Sequence, residues 1–149
     1  MSKADELRAL ADRCEREEAT VKLRHDIAKA LGWTWVQFGY VQWRNPSGRD
    51  ASVPNWCESL DAAVTLVPEE GVAWWEINME PGVDTAGARA EVVFDRDQDG
   101  EHKGYARTPA LALCAAALRA RAAVSHPDPG AMRSERSERA TSNPNIRTP

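Results

Sequence analysis

The chain has no pair of cysteines at a spacing that marks a redox or zinc motif. Its three cysteines, Cys14, Cys57 and Cys114, are odd in number and far apart, and no CxxC occurs. That pattern speaks against a secreted disulfide framework. Long apolar runs are missing as well. The longest, Ala110 to Leu118, is rich in alanine and too short to cross a bilayer. The opening segment MSKADELRALADRCEREE is charged and has no apolar stretch of the kind a signal peptide carries. The expectation is a cytoplasmic protein with no membrane partner.

Recognisable catalytic wording is also absent. The chain contains no GxSxG, Walker A, GxGxxG or HExxH motif. None of its three histidines, His25, His102 and His126, stands at zinc spacing from a cysteine or another histidine. No catalytic residue, metal ligand or cofactor is therefore expected. Basic charge is scarce where it would matter for nucleic acid. The net charge is -4, but residues 32–105 carry five basic and thirteen acidic side chains, and residues 106–149 carry seven basic and three acidic ones. Binding to phosphates needs concentrated Lys and Arg, so the folded body is not expected to bind DNA or RNA.

What is present suits a small α+β fold. Leu7, Leu10, Ala11 and Cys14 recur at helical spacing, which predicts a helix over 3–16 with Ser2 as its cap. Leu23, Ile27 and Leu31 predict a second over 20–31, closed by Gly32. Ser59 caps a short helix over 60–67, which Pro68 ends, and Thr108-Pro109 opens a helix that runs to about 123. Residues 33–43, WTWVQFGYVQW, are aromatic and β-branched and read as one strand, or as a strand bent at Gly39. Further strands are predicted over 72–79 and 88–95, with a short returning strand over 104–107. The expected architecture is a small antiparallel sheet of three to four strands packed with about four helices in one domain, residues 1–123. Residues 124–149 hold prolines, serines and arginines with few large apolar groups, and a disordered tail is expected there.

Two features carry candidate function. Asp95-Arg96-Asp97-Gln98-Asp99-Gly100 matches the first half of an EF-hand loop. Position twelve of that loop falls on Ala106 instead of a bidentate glutamate, so the favoured reading is a polar turn. Glu76, Glu80, Glu91, Asp95, Asp97 and Asp99 give a possible carboxylate cluster on neighbouring strands, of the kind that supports acid–base or metal chemistry. The six tryptophans all fall between residues 33 and 75. Trp33, Trp35, Trp74 and Trp75 fit a core between sheet and helices. Trp74 and Trp75, being adjacent, must point to opposite faces of a strand. Trp43 and Trp56 flank turns and are the expected accessible, protein-binding pair.

Ala30-Leu31-Gly32-Trp33, Val53-Pro54-Asn55-Trp56, Ser59-Leu60-Asp61-Ala62-Ala63, Trp74-Trp75 and the run Ala106 to Leu118 together resemble the phage ABA sandwich domain family, small proteins of bacteriophages and prophages. The resemblance covers residues 5–123. It implies a sheet packed with helices in a phage or prophage protein working inside a host cell, and it implies no activity, cofactor or catalytic residue. The functional expectation is a protein-interaction module whose partner is a host or phage protein. The alternatives are a metal-binding protein or enzyme built on the strand carboxylates, and a minor virion assembly factor.

Overall fold

A computed structural model describes residues 2–37, 41–79, 87–94 and 100–125. The expected tail beyond Ser125, the bend at Gly39 and the Asp95–Asp99 turn lie outside the described residues. Among these residues, four helices and five strands follow in the order α1 (Lys3–Arg16), α2 (Val21–Ala30), β1 (Thr34–Gln37), β2 (Val41–Arg44), α3 (Leu60–Val64), β3 (Val72–Met79), β4 (Ala88–Phe94), β5 (Glu101–Ala106) and α4 (Pro109–Ser125). The fold is α+β, as the sequence pattern predicts.

Local chemistry sets the helix ends. Ser2 and Asp5 form a reciprocal capping box at the start of α1. Thr20 caps α2 through the Leu23 amide. Gly32, at φ 99°, ends α2: its amide reaches the Lys29 carbonyl at 3.1 Å and the Trp33 amide reaches that of Ala28 at 2.9 Å. This is a Schellman closure, which requires the left-handed conformation that glycine adopts freely. The Thr108 hydroxyl accepts from the Leu111 amide at 3.2 Å, with Pro109 in the first helical position.

Two separate antiparallel sheets form among the described residues. The aromatic segment folds back on itself, pairing β1 with β2 so that Trp35 stands opposite Trp43. The second sheet has the order β3-β4-β5. Its two faces are fixed by the packing of α4. A Cβ on Gly104 would lie 2.3 Å from the Ala112 carbonyl oxygen, so the sheet touches the helix backbone at that point. Ala90 is the register partner of Gly104, and with Ala88, Val92 and Phe94 it forms a buried row facing α4.

The α4 helix is the centre of the molecule. Residues 111–118 are buried on every side. The sheet lies on one side, α1 packs along another and α3 abuts it as well. The alanines between Leu111, Leu113 and Leu118 admit close neighbours all round. Each of Leu111, Leu113 and Leu118, fully buried, contributes about 2 kcal/mol of hydrophobic stabilisation. Ion pairs tie the outer helices on. Arg13 of α1 reaches Asp26 of α2 at 2.7 Å. Arg119 of α4 reaches Glu15 at 2.6 Å and Asp12 at 2.7 Å, both on α1.

Candidate functional site

The two edges of the three-stranded sheet are treated differently. At the β5 edge, the Glu15 carboxylate accepts from the Tyr105 amide at 2.9 Å, and Arg119 donates to the Lys103 carbonyl at 2.7 Å. Side chains from α1 and α4 thus satisfy that edge. The β3 edge has no such cover among the described residues: β3 pairs with β4 alone, and neither side chain nor loop hydrogen-bonds to its outer backbone. An eight-residue edge strand with free amides and carbonyls is a template for strand addition.

The side chains at this edge are large and apolar. An irregularity between Val72 and Trp74 leaves Ala73 as the extra residue, and beyond it Trp74 stands opposite Val93 and Trp75 opposite Val92. Trp74 therefore projects on the face away from α4 and Trp75 on the α4 face. Trp74 is 46% exposed and Trp75 38% exposed. Val72, Trp74 and Trp75 join Val64, Val67 and Pro68 in an open cleft of about 490 Å³ between β3 and the end of α3. Glu69, Glu70 and Glu76 are exposed along the same edge, giving it a negative rim.

Trp43 and Trp56, the expected contact pair, are buried at 9% and 3% exposure. Position beside a turn does not expose them, because each has a ring partner. Trp43 packs on His25 and on Trp35 with centroids 4.9 Å apart in both cases. Trp56 meets Trp33 edge-on at 6.3 Å and donates its indole N–H to Thr65 at 3.2 Å. The accessible tryptophans are instead Trp35, Trp74 and Trp75, three of the four expected in the core. Trp33 is partly buried against the core.

The carboxylates converge in part. Glu76 and Glu91 are register partners on β3 and β4. Burial pushes the Glu91 carboxyl above its ordinary range, and Glu101 adds to the effect. Arg89 at 3.7 Å from Glu91 and Lys103 at 3.7 Å from Glu101 counter the charge. Glu80, Asp95, Asp97 and Asp99 lie outside the described residues. Among the described residues, no three His, Cys, Asp or Glu groups are arranged to hold a metal ion. Burial, then the charges of Arg24 and Lys29, lower the His25 pKa. His102 packs on Phe94 with centroids 5.4 Å apart, and His126 is outside the described residues.

All three cysteines lie in the core. Cys14 of α1, Cys114 of α4 and Cys57 of the segment before α3 are free and buried in the same core. Cys114 donates to the Trp56 carbonyl at 3.2 Å. Cys114 and then Cys14 pull the Cys57 pKa down, with help from the charge of Arg24. The Cys14 and Cys114 thiols are pushed up.

No helix among the described residues is long and apolar enough to cross a membrane. No family model, curated protein or solved structure matches the chain.

Proposed function

We propose that this protein is a protein-interaction module that binds an extended segment of a host or phage protein by strand addition to β3. The observation that carries the proposal is the contrast between the sheet edges: β5 is satisfied by Glu15 and Arg119, while β3 has no such cover among the described residues. Backbone hydrogen bonds would supply affinity, and Trp74 and Trp75 would grip alternate side chains on the two faces. The negative rim of Glu69, Glu70 and Glu76 favours a segment carrying Lys or Arg among its apolar residues. The phage or prophage setting that the sequence resemblance implies agrees with a small module of this kind, whose partner belongs to the host or to the virion.

A displayed library of random linear peptides, panned on the full chain, tests this reading. Enriched peptides should alternate apolar and basic residues, and their binding should weaken with salt. Replacing Trp74 and Trp75 together by serine should weaken them by about tenfold or more, as loss of aromatic anchors does. A library that yields no binder, or binders indifferent to the double substitution, would overturn the proposal.

A further inference from the structure

A second cavity, of about 280 Å³, opens where α1 begins and α2 and α4 end, and it shares only Pro68 with the cleft at β3. Its walls are largely apolar: Leu7, Leu31, Pro68 and Val124 line it, and Val124 is 57% exposed. Two cations, Lys3 and Arg121, complete the lining. Helical spacing sets each beside an apolar wall residue. Lys3 lies four residues before Leu7 on α1, and Arg121 lies three before Val124 on α4.

The two cations are not equivalent. Lys3 donates to the Ala30 carbonyl at 2.8 Å and pairs with Glu6 at 3.3 Å, so its charge is already matched. Arg121 donates its Nε–H to the Leu66 carbonyl at 2.6 Å. No carboxylate pairs with it among the described residues, and its Nη1 and Nη2 donate to no atom there. The contrast with the other arginines of the helical core is sharp: Arg13 and Arg119 each hold two carboxylates. Arg121 is nevertheless half-buried. Burial pulls its pKa below the ordinary arginine value, and Glu69 opposes that only by its charge. A partly desolvated cation with open donors beside an apolar cavity is a half-built binding site, since such a charge gains most from an anion placed against it.

We infer that this cavity binds a small amphiphilic carboxylate, an alkyl chain ending in one carboxylate, with Arg121 gripping the head and Leu7, Leu31 and Val124 covering the chain. One unmatched positive charge suits a monoanion better than a phosphate dianion. The guanidinium fork matches the two oxygens of a carboxylate. The volume lies near the lower end of ligand cavities, which run from about 300 to 1,000 Å³, and so suits a chain of medium length. The inference does not rest on strand addition at β3, whose rim carries the opposite charge.

Octanoate is the probe, and octanol, with the same chain length and no charge, is its control. Each is titrated, below the concentration at which it aggregates, into the full isotope-labelled chain and followed by amide shifts in NMR. Octanoate should move the amides around Leu7, Leu31 and Val124 and reach saturation. Octanol should bind at least about tenfold more weakly, because it lacks the charge-assisted pair. From butanoate to octanoate, each added methylene should tighten binding by up to about fourfold. Arg121→Gln should bring octanoate down to the level of octanol. Val124→Ser, at an exposed position, should weaken both ligands alike. The comparison of octanoate with octanol needs no variant and stands if Arg121→Gln folds poorly. Octanol bound as tightly as octanoate would overturn the inference, and so would shifts without saturation or shifts confined to the cleft around Trp74 and Trp75.

Discussion

Substituting alanine for Gly104 probes the closest approach in the molecule. The added Cβ would sit 2.3 Å from the Ala112 carbonyl oxygen, 2.8 Å from the Ala116 amide nitrogen and 2.8 Å from the Ala115 Cβ. Two of these atoms are helix backbone and cannot rotate away. Restoring ordinary contact requires a shift of about 1 Å between α4 and β5, against a core packed at crystal-like density. The helix has no free direction for that shift, since residues 111–118 are buried on all sides. Overpacking costs about 1–3 kcal/mol where side chains can adjust, so the expected loss is at or above the upper end, about 3 kcal/mol. In urea this moves the unfolding midpoint down by about 2 M, followed by tryptophan fluorescence. Gly48→Ala serves as the control. That residue has φ 86° with nothing within 4 Å of the added carbon, so it should lose only about 1 kcal/mol from the backbone conformation. A Gly104→Ala protein as stable as the control would refute the close packing of α4 on the sheet.

Other outcomes follow from named contacts. Arg119→Met leaves the half-buried Glu15 without its bidentate partner; the expected cost is about 2 kcal/mol, between exposed and buried ion pairs, read by urea denaturation. Burial pushes the Asp26 carboxyl up, but hydrogen bonds from Arg13 and Lys22 win and hold its pKa below the ordinary value. The Arg13 hydrogen bond and charge hold Glu17 low as well. Folded pKa values below the unfolded ones mean stability that is complete above about pH 5 and lost as pH falls through the folded values. Arg13→Gln should flatten that acid slope in melting curves taken at stepped pH. His25 is held below 6.5 by burial, so the unfolded chain binds the proton more readily and stability should fall as pH drops below 6.5, an effect that His25→Gln removes. Replacing Trp74 and Trp75 by serine should cost about 3 kcal/mol or more in urea denaturation, because they are only 46% and 38% exposed and the buried remainder is large apolar surface.

The parts of this architecture that depend on neighbours in the chain were legible. Ser2, Gly32, Ser59 and Thr108-Pro109 end or begin helices where their chemistry predicts, because caps act within a few residues. The periodicity of 72–79 and 88–95 likewise identified two strands of the main sheet. Contacts between distant segments were not legible. Nothing near Trp56 in sequence announces the Cys114 thiol that donates to its carbonyl. Trp43 and Trp56 were misplaced because proximity to a turn says nothing about the rings they meet, which come from α2 and from Trp33. Trp74 and Trp75 reveal the converse. Their adjacency required opposite faces, but only the strand order β3-β4-β5 shows that both lie at an edge and stay accessible.

Amide hydrogen exchange on the complex between the full chain and a library-selected peptide tests strand addition most directly. Binding should slow exchange at alternate amides within Val72–Met79, those that point away from β4, and should leave the β5 edge unchanged. Protection on another element, with β3 exchanging as in the free protein, would contradict the account.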